Sequence, residues 1–190
     1  ALRPTNVSMG LMLENISERL CQVGGAHQSA PTKQPARRLE MLENAGKLKI
    51  PFTTGVLVGI GETVEERVLT LFAIRDLHRK YGHIQEVIIQ IFRAKDGTRM
   101  ADFPEVSDEE LFRTVAVSRL ILKEMNVQAP PNLTPEGHTR LIEAGINDWG
   151  GISPVTCDFI NPEAPWPHLK DLENICRESG FRLEPRLPVY

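Results

Sequence analysis

Cysteine is scarce: three in 190 residues, Cys21, Cys157 and Cys176, far apart and odd in number. No CxxC pair and no Cys/His cluster at metal-ligand spacing is present, so all three read as reduced structural thiols and no metal ligands are assigned. The chain also lacks an excess of either charge. Its formal net charge is −3, and Lys and Arg are scattered rather than clustered, which leaves no nucleic-acid footprint and points to a small-molecule partner. No apolar run approaches the roughly 20 residues of a membrane span, and ALRPTNVSMG lacks the layout of a signal peptide. Neither a membrane nor a nucleic acid is expected as a partner, and the cytosol is the default location. GK[ST] after a glycine loop and GxSxG are both missing, which argues against triphosphate cradling and a serine nucleophile elbow.

What is present is an alternation of strand and helix signals. Val7 to Leu13 reads as a short strand, and Pro35 to Leu48 as a helix with Ala36, Leu39, Leu42 and Leu48 on one stripe and Ala45 close to it. Gly46 and Pro51 are expected to fray and end that helix. Phe52 to Ile60 is then a near-continuous apolar strand of the kind buried on both faces in parallel sheets. Thr63-Val64-Glu65-Glu66 is a capping box, opening a helix to about Tyr81 with Val68, Leu71, Phe72, Ile74 and Leu77 inward; Gly82 stops it before a strand from Glu86 to Phe92. Ser107 caps a helix to about Met125, Val127 to Ala129 is a short strand, and Thr134 caps a helix to about Ala144. Gly150 to Val155 is the last strand, and Trp166 to Ser179 the final helix.

This α/β pattern fits either an open doubly wound sheet or part of a (β/α)₈ barrel. A complete barrel usually needs about 250 residues, so five units match the last five-eighths of one. In both architectures ligands sit at the carboxyl ends of the strands, and the residues there are unusually polar. Glu14 ends the first strand, Glu62 the second, and Gln90 and Arg93 the third. Asn132 follows the fourth, and Asn147, Asp148, Ser153 and Thr156 flank the fifth. Taken singly, each has an ordinary reading: a helix start for Glu14, solvated turns for Arg93 and Lys95, a turn polar for Asn132, an Asx-turn for Asp148. As a set they line one rim. Arg38, on the helix before the glycine strand, suits a bidentate grip on a carboxylate, though solvated helical arginines are common. The five histidines form no i, i+4 pair and read as solvated or packed.

The second strand ends in Gly59-Ile60-Gly61-Glu62-Thr63-Val64, which begins like a dinucleotide fingerprint but has Val64 at the third glycine position. The distinctive spacing is Gly55-x-Leu57-x-Gly59-x-x-Glu62. Gly55 and Gly59, four apart on one strand face, leave bare backbone there, against which a flat ring can lie; equally, they relieve helix–sheet crowding while Glu62 suits the start of a helix.

GVLVGIGET resembles the adenine-contacting GxIxGxxE element of the radical S-adenosylmethionine enzymes, and SMGLMLENIS and RRLEMLENAG fit the same barrel. Nearly the whole chain is similar to the deazaflavin (FO) synthase family through GLMLENISERL, PFTTGVLVGIGET, RDLHRKYGHIQEVIIQIFRAKDGT, NVQAPPNLTPEG and AGINDWGGISPVTCDFINPEAPWP. The resemblance implies a radical S-adenosylmethionine barrel in which a [4Fe-4S] cluster cleaves S-adenosylmethionine. A tyrosine-derived adduct of a ribityl-aminouracil then closes, with loss of ammonia, to the deazaflavin. It also implies an electron donor and a tyrosine-handling radical partner, fused or separate. Carried over by position, Gly55, Leu57, Gly59 and Glu62 border the adenine, Glu14 meets the ribose hydroxyls and Arg38 faces the methionine carboxylate. Gln90, Arg93, Asn132 and Asp148 are the expected substrate side. The family's CxxxCxxC is absent, so the cluster ligands are not in this chain. About three βα units, a hundred residues or more, are expected upstream, and the chain alone is expected to be inactive. Two other readings remain at this stage: the partner activity that joins tyrosine's side chain to the aminouracil, and a non-catalytic nucleotide-binding or interaction module.

Overall fold

The computed structural model describes residues 3–189. Four parallel strands, β1 (Met9–Gly10), β2 (Phe52–Val58), β3 (Ile84–Ile91) and β4 (Asn126–Gln128), lie in the sheet in their order along the chain. Five α-helices follow or separate them: α1 (Pro35–Lys47), α2 (Val64–Tyr81), α3 (Asp108–Leu122), α4 (His138–Ala144) and α5 (Leu169–Glu178).

That order decides between the two architectures. A doubly wound sheet reverses its winding at a switch point, whereas here every strand lies beside its predecessor. Helices α1 to α4 correspondingly pack each against the next. The result is an arc of a (β/α) barrel, with helices outside and an inner sheet face free of them. Phe52, Val56 and Val58 of β2 and Val87, Ile89 and Ile91 of β3 join Leu42, Leu71 and Ile74 in the core. The alternate residues, Thr53, Gly55 and Leu57, stand in register with Glu86, Ile88 and Gln90 on the inner face.

Local signals account for the elements that carry the site. At the start of α2 the Thr63 hydroxyl accepts from the Glu66 amide at 3.1 Å while a Glu66 carboxylate oxygen accepts from the Thr63 amide at 2.7 Å, completing the capping box. Gly82, at φ 65°, ends the helix. Gly46 does not fray α1. It sits where a Cβ would come within 2.6 Å of the Tyr81 ring, so its bare Cα lets α1 and α2 approach.

Several boundaries differ from the sequence reading, each for a physical reason. The buried stripe of α1 is Pro35, Arg38, Leu42, Ala45 and Gly46, with Ala36 and Leu48 exposed, because Arg38 is drawn inward by partners described below. On α2, Arg67 and Thr70 take buried positions, satisfied by Glu62 and by the Ile16 amide. The first strand shrinks to two residues plus an isolated bridge between Glu14 and Val56. Between them the Leu13 amide bonds the Thr54 hydroxyl at 3.2 Å in place of a backbone carbonyl. Ser107 precedes α3 without a side-chain cap bond. Thr134 caps nothing: its hydroxyl is buried without a partner, and α4 starts only at His138 after Gly137. The final strand does not form over residues 150–155. Gly150 turns at φ 77°, Pro154 has no N–H to give a ladder, and only Asp148 pairs, as an isolated bridge to Gln128. The last helix begins at Leu169 rather than Trp166.

Candidate functional site

The turn after β2 is built around one acid. The Glu62 side chain has no exposed surface, and its two oxygens accept from the Gly59 amide at 2.9 and 3.2 Å and from the Ile60 amide at 2.8 Å. Arg67 donates to it from Nε at 3.0 Å and from the guanidinium end at 2.7 Å, then passes on to Glu110 and the Thr114 hydroxyl. Gly59 and Gly61 hold φ of 96° and 92°, which a side chain would strain. Space is closed too: a Cβ on Gly59 would lie 2.7 Å from Val106, and one on Gly61 3.2 Å from Phe103. The segment after β3 thus folds over the turn.

One strand away, Glu14 has the opposite setting. It is buried yet held at φ 63°, and its backbone brackets β2, the amide bonding the Gly55 carbonyl at 2.9 Å and the carbonyl accepting from the Leu57 amide at 3.1 Å. Its carboxylate meets three basic side chains: His27 Nε2 at 2.7 Å, Lys33 Nζ at 2.8 and 2.9 Å, and Arg38 at 3.1 Å. Burial alone would raise the Glu14 carboxyl. Hydrogen bonds from His27 and Lys33, with the charges of Lys33 and Arg38, outweigh it and hold the group at about 2. Lys33 is the exposed member of the trio, at 36%, against 4% for His27 and 8% for Arg38. Arg38 also donates to the Met12 and Thr32 carbonyls, which fixes its guanidinium.

Over the full chain the sequence is 57% identical to the 7,8-didemethyl-8-hydroxy-5-deazariboflavin synthase of Methanococcus vannielii, covering 100% of this chain and 54% of that protein. The synthase of Methanopyrus kandleri is 56% identical, with 57% of its length covered, and that of Methanothermobacter thermautotrophicus 49%, again with 57% covered. The chain is a homologue of the deazariboflavin synthases. It spans about half the length of the curated relatives it matches. No family model matches it. Among solved structures, HydG, a maturase of the [FeFe]-hydrogenase, superposes with a TM-score of 0.72 at 20% identity, covering 95% of this chain and 40% of that one. Methylornithine synthase (PylB) superposes at 0.69 and 17%, covering 96% and 54%. At these identities the likeness establishes the fold alone, a (β/α) arc matched over part of the length of those two enzymes.

The residues singled out on the deazariboflavin synthase pattern fall into three groups. Glu14 and Arg38 touch each other, and the backbone of Glu14 abuts Gly55 and Leu57. Gly59 and Glu62 form the adjoining turn. On the inner face, Leu57 is in register with Gln90, and a Cβ on Gly55 would lie 2.8 Å from the Met12 thioether, so Met12 covers that glycine. Arg93 and Asn132 make a second group. Arg93 ties the loop after β3 together, donating to Glu105 at 3.1 Å, Asp108 at 2.8 Å and the Leu133 carbonyl at 2.7 Å, next to Asn132. Asn132 is 3% exposed. Its Nδ2 donates to Asp158 and to the Ala164 carbonyl, leaving Oδ1 buried without a partner. Asp148 stands apart, with its carboxylate on the Gly150 amide and on Arg186 of the C-terminal segment, which also grips Glu86.

Sequence reasoning missed His27, Lys33, Arg67 and Arg186. His27 and Lys33 lie in a segment of short turns with no periodicity; an acid ending the first strand, followed by a basic loop, was their only trace. Cys21 is half-buried, Cys157 exposed and Cys176 buried, and Cys176 accepts from the Trp149 indole at 3.4 Å. Among the described residues no three His, Cys, Asp or Glu side chains form a metal site, so this chain does not fit an iron–sulfur cluster. No helix among them is long and apolar enough to cross a membrane.

Proposed function

We propose that this chain supplies the S-adenosylmethionine-binding and substrate-facing part of a radical lyase that closes the deazaflavin ring of a tyrosine-derived ribityl-aminouracil adduct, with loss of ammonia. One observation carries the reading: a buried carboxylate, Glu14, is fixed against the Gly55–Leu57 backbone by His27, Lys33 and Arg38 at the carboxyl end of the strands. Bound S-adenosylmethionine supplies the hydrogen-abstracting radical in such a reaction. The acid is the acceptor for two ribose hydroxyls, and Lys33, its exposed partner, is the group those hydroxyls displace. Arg38 faces the methionine carboxylate from behind Glu14. Gly55, Leu57 and Gly59 border the adenine, with Met12, a pliable side chain over Gly55, and Val106 against Gly59 as the neighbouring walls. Glu62 serves that edge through the backbone, by holding the Gly59 and Ile60 amides in place.

On the substrate side, Gln90 and the open Oδ1 of Asn132 meet polar edges of the adduct. Arg93 holds the loop that closes over them, and Asp148 acts through the Gly150 turn. A closed rim keeps a radical from solvent. The cluster and its ligands belong to parts of the protein outside this chain, an electron donor for the cluster is a partner, and the tyrosine-handling radical enzyme is fused or separate; the cytosol is the proposed location. The test uses the intact protein, reconstituted anaerobically. Supplied with preformed adduct it is expected to release 5′-deoxyadenosine and form the fluorescent deazaflavin. Turnover with tyrosine plus the aminouracil, and none with the adduct, would instead assign the joining reaction.

A further inference from the structure

At the opposite end of the sheet, where β2, β3 and β4 begin, a groove of about 670 Å³ opens between the C-terminal ends of α2 and α3. That volume lies in the usual range for small-molecule sites. Its floor is apolar, with Ile84, Ile121 and Met125, and its rim is basic, with Lys49, Arg79 and Lys123 set against a single acid, Glu124. Arg75 also lines it but is already paired with Asp76 at 2.7 Å. Lys49, Arg79 and Lys123 are all exposed, and none has a side-chain partner among the described residues. Lys49 and Lys123 hold φ of 52° and 50°, left-handed values that favour glycine. The chain nonetheless places lysine at both.

The groove also contains an unsatisfied polar atom. His83 is 6% exposed, and its Nε2 sits 2.9 Å from the Leu42 carbonyl. A carbonyl only accepts, so Nε2 carries the proton and Nδ1 presents a lone pair. That Nδ1 is buried with no partner, as is Nδ1 of His78, which lines the same groove. Burial lowers both imidazoles from their usual value, consistent with neutral acceptors. An apolar floor, a buried acceptor on His83 and a rim of unpaired cations together describe one kind of ligand.

We propose that this groove binds a small organic phosphate monoester with a flat apolar body and a hydrogen-bond donor on it. The phosphate sits among Lys49, Arg79 and Lys123, the body covers Ile84, Ile121 and Met125, and the donor meets Nδ1 of His83. The site lies across the sheet from the Glu14 rim, so its occupant does not compete with S-adenosylmethionine.

The probes are 4-hydroxyphenyl phosphate, phenol and inorganic phosphate, titrated calorimetrically into the intact protein. Saturable binding of the aryl phosphate is expected, at least about tenfold tighter than either fragment, and weakened at least about tenfold in a K49A/R79A/K123A variant. Saturating S-adenosylmethionine is expected to leave it unchanged. Nitrogen-detected NMR gives a readout without any variant: the His83 Nδ1 resonance should move on adding the aryl phosphate. No saturable binding, inorganic phosphate binding as tightly as the aryl ester, displacement by S-adenosylmethionine, or an unmoved His83 resonance would each overturn the proposal. Failure of the radical chemistry would leave this result untouched.

Discussion

Glu14 and Glu62 end neighbouring strands and carry the same functional group, yet the chain uses them differently. Glu62 is enclosed by its own turn: two amides and one arginine consume its lone pairs, and nothing outside reaches it. Glu14 is gripped by side chains from a separate loop and a helix, one of them exposed and long enough to leave. The acid of the glycine motif therefore shapes the backbone, whereas Glu14 keeps one partner, Lys33, that a ligand could displace.

The comparison breaks most visibly at Glu62. Glu62→Ala leaves the buried Arg67 with only the longer contact to the part-exposed Glu110 and the Thr114 hydroxyl, and a loss of about 3 kcal/mol is expected in denaturant unfolding of the intact protein. Arg67→Ala added to it should cost less than the two single losses summed, because one pair is being removed twice. An unchanged midpoint for Glu62→Ala would end the claim that this acid is architectural. Next is Gly59→Ala, expected to cost about 2–3 kcal/mol from the φ of 96° together with the Val106 contact. Val106→Ala in the same background should return the steric share and leave the backbone share.

At Glu14 the discriminating variable is pH. Its folded carboxyl lies near 2, below the roughly 4.3 of an unfolded glutamate, so its contribution is fully present above that value and is lost as pH falls through about 2. Glu66, held down chiefly by its hydrogen bond from Arg19, titrates in the same window. Glu14→Gln is therefore expected to cost about 2 kcal/mol at pH 7 and to flatten, without abolishing, the fall in stability between pH 4.5 and 2. A pH profile parallel to that of the unaltered protein would refute the cation grip. The smallest effect belongs to Lys33→Met: under about 1 kcal/mol in stability, with S-adenosylmethionine binding tightened about threefold because its hydroxyls no longer displace an ammonium. Equilibrium dialysis under anaerobic conditions measures it, and weaker binding would make Lys33 a ligand contact instead.

Much of the fold could be read from local chemistry. The capping box at Thr63, the glycine after Tyr81 and the apolar run of β2 are short-range signals, and all three appear where their residues place them. The failures come from turns and side-chain partners that composition and periodicity do not show. Over residues 150–155 Gly150 turns the chain and Pro154 has no amide to pair, and Thr134 precedes a helix that begins only at His138. Arg38 and Arg67 look like solvated helical positions until Glu14 and Glu62, 24 and 5 residues away, pull them inward. At the candidate site, strand-end polarity singles out Glu14, whose buried carboxylate meets His27, Lys33 and Arg38. His27 sits in a turn-rich loop whose composition says nothing of where its ring points.

Arg186 gives the molecule an order in time. Its guanidinium joins Glu86, 100 residues earlier, to Asp148, and so ties the inner face of β3 to the last rim segment. On a ribosome those two acids are made long before the arginine that draws them together, and loop closure over such a span is slow. Glu86 and Asp148 are thus joined only after Arg186 has been made, and the segment that carries it fastens β3 to the rim around Asp148.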